Sequence, residues 1–194
     1  MNFNRPVQIN KIVKEAATDK ANKSLKKTLL LAFAGGAYIA LGSMFAITIA
    51  GGMGGVTLNN PGITKLVFGL TFPLGFLLVT LAGAELFTST VAIMTVGVHS
   101  KVISLRKLLR LWGLSYIGNF VGALFVVYVI AYCSKIFSSE NYSQYIINIA
   151  NHKLENSFLT TFIKGVGANW LVCLAAFLTY SSKDIVGKFF AMWV

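Results

Sequence analysis

The sequence predicts an all-α integral membrane protein, and three features of its composition support that prediction. The 194 residues are 56% hydrophobic and only 12% charged, whereas about a quarter of the residues in a soluble domain are charged. Residues 28–64 contain no charged side chain, and residues 111–134 contain no Lys, Arg, Asp or Glu. Because about 20 apolar residues span a bilayer, each of these runs is long enough to cross one.

The charge balance is strongly basic, with 17 Lys and Arg against 6 Asp and Glu and a net charge of +11. A basic face often binds nucleic acid, but here the basic residues cluster between long uncharged runs. We therefore expect a lipid bilayer as a partner and no nucleic acid. Cys133 and Cys173 lie far apart in apolar segments, which predicts two small buried side chains and no disulfide, metal site or cofactor.

The first 27 residues form a basic arm that leads into an apolar run too long for the core of a signal peptide. The apolar residues of this arm predict a short amphipathic helix near the membrane surface. They are Val7, Ile9, Ile12, Val13 and Ala16. We therefore divide the chain into a cytoplasmic arm, residues 1–27, and a transmembrane domain, residues 28–194.

Four apolar segments are predicted to cross the membrane, and a fifth begins near residue 185. The four segments are residues 28–53, 65–98, 108–136 and 156–181. Basic residues fill the arm and the second connection, whereas the first connection is uncharged and the third, residues 137–155, is nearly balanced. Since cytoplasmic loops carry an excess of Lys and Arg, the arm and the second connection are predicted inside, and the first and third outside.

The second segment is too long for one straight helix. Residues 65–98 would extend about 50 Å as a continuous helix, against a hydrocarbon core of about 30 Å. The run "ELFTST" at 85–90 favours a break, because Thr and Ser hydroxyls bond to local backbone groups. Broken helices in transporters form substrate sites. A kinked and tilted span that only packs is the alternative.

Glycines recur where helices are expected to pack closely. Gly35, Gly36 and Gly42 lie in the first span, and Gly118 and Gly122 lie in the third. Small residues let helix backbones approach in a membrane, so we interpret these glycines as packing positions.

Four motifs resemble those of the formate/nitrite transporter family of pentameric anion channels. They are "AGAELFTSTV" at 82–91, "YIGNFVGAL" at 116–124, "GANWLVCLAAF" at 167–177 and, more weakly, "NHKLENSF" at 151–158. The resemblance implies an aquaporin-like protomer of six spans, built from two inverted three-span repeats. It also implies a homopentamer in the cell membrane, with one pore in each protomer.

Glu85 and the three residues after it form the first predicted site. A carboxylate at membrane depth is costly and often functional, but a fixed negative charge would repel an anion. We therefore expect Glu85 to structure the loop by accepting hydrogen bonds from the residues that follow; proton transfer is the alternative. The resemblance implies that Leu86, Phe87 and Thr88 gate the inner constriction, and that the Thr88 hydroxyl donates to the anion.

Three apolar residues complete the predicted constrictions. Phe72 and Phe76 are four residues apart, on one face of a helix. The resemblance places Phe72 and Phe76 in the ring of apolar residues around the central chamber. Val172, three residues after Asn169, is also assigned to the pore constriction. Ordinary packing between helices is the alternative for the two phenylalanines.

Polar residues of the fourth span and its outer entry form the predicted anion path. Lys153 would attract a monovalent anion at the outer mouth, although a lone lysine there is usually a solvated charge. Asn169 would offer its amide to the chamber. Lys164 would point away from Asn169, about 140° around the helix, and either snorkel or pair at a contact between protomers.

One departure from the family concerns its central histidine. Family members carry that histidine in a broken fifth span, which a sixth span follows. This sequence ends at "GKFFAMWV", and its only histidines are His99 and His152, in the predicted inner and outer connections. We therefore expect about five of the six spans, a chain that is a fragment or ends early, and no conduction by five spans alone.

The function predicted from these features is passage of a small monovalent anion of a weak acid, with or without coupled protons. The candidate anions are formate, nitrite and hydrosulfide, and "NWLVCLA" at 169–175 favours nitrite. A neutral-solute pore is the first alternative, but the sequence lacks paired Asn-Pro-Ala motifs. A membrane enzyme is the second, but its nucleophiles and histidines are scattered, so we expect no catalytic residues.

Overall fold

The computed structural model of the chain describes residues 3–193, and these residues form ten α-helices and one π-helical segment. The helices are α1 (Pro6–Asn22), α2 (Leu25–Gly51), α3 (Gly54–Asn59), α4 (Pro61–Thr71), α5 (Leu74–Ala82), α6 (Phe87–His99), α7 (Leu105–Phe125), α8 (Glu140–Leu154), α9 (Phe158–Ser181) and α10 (Ile185–Ala191). Helix α7 continues directly into the π-helical segment Val126–Tyr132. The predicted all-α class is confirmed.

Four helical stretches of the described chain are long and apolar enough to cross a membrane, as predicted. They are Leu25–Gly51, Pro61–Ala82, Leu105–Tyr132 and Phe158–Ser181. Three of them begin at a serine whose hydroxyl accepts a hydrogen bond from the backbone N–H three residues later, at Ser24, Ser104 and Ser157. Because a serine satisfies a free N–H at a helix start, these caps determine where each span begins.

The second span is broken, as the sequence predicts, but the break lies slightly earlier than the hydroxyl run. Helix α5 ends at Gly83, whose φ of 67° lies in the left-handed region that glycine adopts without steric cost. Residues 84–86 are non-helical. The hydroxyl residues Thr88, Ser89 and Thr90 lie in the first turns of α6 instead of in the break. The same span is also interrupted at residues 72–73, between α4 and α5.

The third connection contains a helix that was not predicted from the sequence, because residues 140–154 form α8. Its half-buried residues Tyr142, Tyr145, Ile146 and Ile149 recur with helical spacing, so the helix has one apolar face. The Tyr142 hydroxyl donates to the Thr48 carbonyl at 3.1 Å. Helix α8 therefore packs against the end of α2, where its apolar face is partly covered.

Helices α2 and α7 form the closest helix pair, and glycine makes it possible. A Cβ added to Gly36 would lie 1.9 Å from the Asn119 carbonyl oxygen, and one added to Gly122 would lie 2.0 Å from the Phe33 carbonyl oxygen. Neither position can hold a side chain unless the backbones separate. The predicted packing role of these glycines is confirmed.

The amphipathic helix predicted in the arm is present as α1, but it packs on protein. Its buried residues are Val13, Ala17 and Ala21, which contact Ile93 and Met94 of α6 in one apolar cluster. Val7, by contrast, is 81% exposed. The buried stripe therefore lies further along the helix than predicted.

The arm, the second connection and the end of the fourth span lie at the same end of the molecule. The Asn4 backbone N–H donates to the Ser181 carbonyl at 2.7 Å. The Lys107 ammonium donates to the Asn22 amide oxygen at 2.8 Å, and Arg110 donates to the Lys23 carbonyl at 3.4 Å. The arrangement agrees with the predicted order of crossings, in which these three segments share one side of the membrane.

Candidate functional site

In the non-helical stretch between α5 and α6, the backbone N–H and C=O groups lie inside the helix bundle and have no helical hydrogen bonds. Backbone groups there must find partners within the protein, because lipid offers none. The Glu85 N–H donates to the Leu31 carbonyl of α2 at 3.0 Å, and the Ala84 N–H donates to the Val79 carbonyl at 3.0 Å. The break is therefore attached to the neighbouring span.

A single amide on α7 satisfies two further backbone groups at the break. The Asn119 amide oxygen accepts from the Phe87 N–H at 2.8 Å, at the start of α6. Its nitrogen donates to the Glu85 carbonyl at 2.8 Å and to the Ala32 carbonyl at 2.7 Å. One side chain thus joins α2, the break and α6. Asn119 lies within one of the family motifs, but no role was predicted for it, although an amide in an apolar span was the available signal.

Glu85 is fully buried, and its carboxylate is held mainly by the arm. The ammonium groups of Lys20 and Lys23 both donate to it, and the Thr90 hydroxyl donates to it at 3.4 Å. Burial lowers the pKa of Lys20, although the charge of Glu85 opposes that effect. The predicted hydrogen bond from the following segment is present, but the two lysines, which are the stronger partners, were not predicted.

The predicted constriction residues separate into two groups. Phe76, Leu86 and Val172 belong to one apolar cluster, which also contains Ala175, Ala176 and Met192. The Phe87 ring packs edge-on against Tyr116 of α7, with ring centroids 5.4 Å apart, and so lies on the other side of the break.

Phe72 also lies outside this cluster. Its ring stacks on Phe68, with centroids 6.0 Å apart, at the point where the second span is interrupted. The helix face predicted to carry both Phe72 and Phe76 is interrupted between them, because α4 ends at Thr71 and α5 begins only after Pro73.

Thr88, Cys173 and Asn169 connect the start of α6 to α9. The Cys173 thiol donates to the Thr88 carbonyl at 3.4 Å, and the Asn169 amide nitrogen donates to the Cys173 sulfur at 3.7 Å. The Asn169 amide oxygen is buried, and no residue among 3–193 hydrogen-bonds to it. Cys173 thus lies between Thr88, which was predicted for the gating loop, and Asn169, which was predicted for the chamber.

The remaining residues singled out from the sequence lie away from the break. Lys153 is exposed on α8, which leaves its predicted role in anion attraction untested. The Lys164 ammonium donates to the Asn156 amide oxygen at 2.7 Å, so a local bond anchors it. Cys133 is exposed and Cys173 is half-buried, so the prediction of two buried cysteines is wrong for Cys133.

Comparison with protein families identifies one match. Residues 7–194 match the family model described as "Formate/nitrite transporter". The chain is 36% identical over 194 residues to the formate channel BtFdhC of Bacillus thuringiensis, an alignment that covers all of this chain and 73% of the relative. It is 35% identical over 190 residues to the formate channel FocA of Escherichia coli strain K12, covering 96% of this chain and 65% of FocA.

Solved structures with the same fold are also found. A structure described as an "FNT family ion channel" superposes with a TM-score of 0.84 and 27% identity, covering 96% of this chain and 73% of the other. Another, described as a "Pentameric formate channel with formate bound", gives a TM-score of 0.76 and 30% identity, covering 88% of this chain and 66% of the other.

Proposed function

Because the chain belongs to the formate/nitrite transporter family, we propose that it conducts small monovalent anions of weak acids across the cell membrane. The protein works as a homopentamer, and the similar structure described as a pentameric formate channel supports this assembly. Its relatives named above are formate channels, so formate is the first anion to test, ahead of the nitrite that residues 169–175 favoured. The chain is a channel and not an enzyme.

The proposed pathway passes the break in the second span. Phe76, Leu86 and Val172 narrow it. Phe72 supports this constriction from the neighbouring kink, and Phe87 supports it from the start of α6, where its ring packs on α7. Lys153 attracts the anion at the outer mouth. Glu85 keeps the break in shape and takes no part in proton transfer, because its carboxylate is already occupied by two lysines.

One observation supports this proposal most strongly: unpaired polar atoms lie where α6 approaches α9. Among the described residues, the Asn169 amide oxygen has no partner, and the neighbouring Thr88 hydroxyl makes no hydrogen bond to protein. An unsatisfied polar group in a dry interior is costly. The amide oxygen suits the O–H of the neutral acid, and the Thr88 hydroxyl suits the anion.

The arm and the second connection face the cytoplasm in this proposal. Residues 1–27 then act as an inner arm and residues 28–194 as the transmembrane channel domain. The basic residues of both cytoplasmic segments support this orientation.

Flux through proteoliposomes tests the proposed function, measured on a full-length version of the protein because five spans alone are not expected to conduct. Thr88→Val keeps the shape of the side chain and removes its hydroxyl, and hydrogen bonds to charged groups contribute about 1.5–3 kcal/mol. We therefore expect formate flux to fall about tenfold or more while the pentamer stays intact. Thr95→Val is the matched control, because Thr95 is exposed on the same helix and donates only to the Val91 carbonyl.

Two results would contradict the proposal. One is an intact pentamer that passes no formate, nitrite or hydrosulfide. The other is flux of a neutral solute such as glycerol at a rate that anions do not reach, which would favour the neutral pore.

A further inference from the structure

A groove of about 550 Å³ lies at the end of the molecule opposite the arm, where the third span ends. Its walls are the π-helical segment, the turn that follows it and the first turn of α8. Eight residues line it: Val127, Ala131, Tyr132, Cys133, Lys135, Phe137, Ser138 and Ser143. None of the eight is acidic, so the groove is largely apolar and carries one basic residue.

The π-helical segment forms one apolar wall of this groove. Its hydrogen bonds join residues five positions apart, so Val127, Ala131 and Tyr132 lie on one side of the segment. Phe137 lines the groove from the turn, and its ring packs against Tyr142 with centroids 5.8 Å apart. Because Tyr142 is also bonded to the end of α2, the helix bundle holds this wall in place.

The polar groups of the groove differ in what they can still bind. The Ser138 hydroxyl donates to the Lys135 carbonyl at 2.8 Å, and the Ser143 hydroxyl donates to the Phe137 carbonyl at 3.0 Å. Both hydroxyl protons are therefore used within the turn. The exposed Lys135 ammonium has no hydrogen bond or ion pair with any residue among 3–193, and neither has the Tyr132 hydroxyl.

The order of these residues along the chain places the free polar groups at the level of lipid headgroups. Val127 and Ala131 lie within the span Leu105–Tyr132, whereas Lys135 follows its end. Tyr132 is 76% exposed, and exposed tyrosines at the ends of spans are typical of the membrane–water interface. A phospholipid has the matching order of parts, with apolar chains toward the membrane centre and a phosphate at the surface.

We propose that this groove binds an anionic phospholipid. One acyl chain lies against Val127, Ala131 and Phe137, and the headgroup phosphate accepts from the Lys135 ammonium and the Tyr132 hydroxyl. A water-soluble anion matches the groove less well, because most of the wall is apolar. The groove shares no residue with the break in the second span, so the lipid site is separate from the proposed anion pathway.

The exposed thiol of Cys133 lines the groove and can report on its occupant. A full-length version of the protein, stripped of lipid in neutral detergent, is treated with N-ethylmaleimide, and mass spectrometry follows the alkylation of Cys133. Added phosphatidylglycerol should slow this reaction, whereas phosphatidylcholine with the same acyl chains should slow it much less. Glycerol phosphate, which has the headgroup charge without acyl chains, should have no effect.

Replacing Lys135 with asparagine should remove most of the preference for the anionic lipid. Lys135 has a φ of 56°, in the left-handed region that asparagine also adopts, so Lys135→Asn removes the charge without straining the turn. We expect the mole fraction of phosphatidylglycerol that gives half-maximal protection to rise about fivefold, the effect of one basic residue near a membrane surface. Lys135→Arg keeps the charge and should match the wild type.

Two further variants control for the position of the charge and for the negative surface of the lipid micelle. Lys65→Gln removes an equal charge from an exposed lysine outside the groove, and it should match the wild type. Ser134→Cys, in a Cys133→Ser background, places the thiol on an exposed neighbour that does not line the groove. Any slowing at that position is the baseline that protection of Cys133 must exceed.

The inference is overturned if phosphatidylcholine protects Cys133 as well as phosphatidylglycerol does, if glycerol phosphate alone protects it, or if Lys135→Asn matches the wild type. Slowing no greater than the Ser134→Cys baseline would also contradict it. A Cys133 thiol that stays unreactive in the lipid-free pentamer would contradict it as well, since a neighbouring protomer would then cover the groove.

Discussion

At Glu85 the chain buries a carboxylate completely, at a depth where burial of an unpaired charge is very costly. Two ammonium groups and one hydroxyl make that burial tolerable. The pair is not a simple gain in stability, because the lysines also lose water. These ion pairs attach the arm to the break, so that the position of each segment depends on the other.

Glu85→Gln should therefore destabilise the protein through the arm. The variant keeps the size of the side chain but leaves two partly buried lysines without a counter-charge, and breaking a buried pair costs about 3–5 kcal/mol. We expect a lower melting temperature and faster tryptic cleavage after Lys20 and Lys23.

Glu15→Gln provides the control, because Glu15 pairs with Lys11 at 3.9 Å on the exposed face of the same helix, where such pairs contribute little. Loss of flux in Glu85→Gln with unchanged melting and unchanged cleavage would favour proton transfer by Glu85 instead.

At the scale of the elements, the close pairing of α2 with α7 determines where the break can be held. Asn119 reaches the break only because Gly35 and Gly36 leave room for it, since a Cβ at Gly35 would lie 2.4 Å from the Glu85 carbonyl oxygen. Close packing thus serves the polar site as well as the bundle.

Gly122→Ala should separate these two helices. Its Cβ would meet the Phe33 carbonyl oxygen at 2.0 Å, and overpacking costs about 1–3 kcal/mol. We expect the protein to melt at a lower temperature in detergent. Gly113→Ala, in the same helix but with nothing within 4 Å of the added Cβ, should raise helix stability slightly. Equal melting temperatures for Gly122→Ala and Gly113→Ala would show that α2 and α7 tolerate separation.

Much of this element structure could be predicted from the sequence. Long uncharged runs identify membrane spans because bilayer thickness sets their length, and the excess length of residues 65–98 required a break. The residues that hold the break could not be predicted, because Lys20 and Lys23 are 65 and 62 positions away from Glu85. Helix α8 was missed because its residues are mostly polar, and only their spacing indicated a helix.

At the scale of the whole molecule, the contacts at the arm end join segments from the beginning, the middle and the end of the chain. Asn4 donates through its side chain to the Tyr180 carbonyl at 2.9 Å, while Lys107 and Arg110 reach the end of α1 and the residue after it. Because these segments meet at one end of the molecule, the chain must cross the membrane an even number of times between the arm and each of the two later segments.

Labelling of single cysteines tests which side this end faces. In a Cys133→Ser background, an impermeant thiol reagent added outside should label Asn59→Cys in the first connection. It should label Val102→Cys only after the membrane is permeabilised. Val102 is chosen because it is 42% exposed, whereas the Ser104 hydroxyl caps α7. The reverse pattern would invert the orientation.

The same contacts also order the assembly of the chain during its synthesis. Helix α1 is made first, but its apolar face packs on residues 93–111, and the segment before it pairs with residues 180–182. At roughly 5–20 residues per second, about 160 more residues must be translated before the last of these partners exists, which takes on the order of ten to thirty seconds. The helix made first therefore docks in stages: its apolar face can be covered once residue 111 has been made, and the segment before it pairs only once residues 180–182 exist.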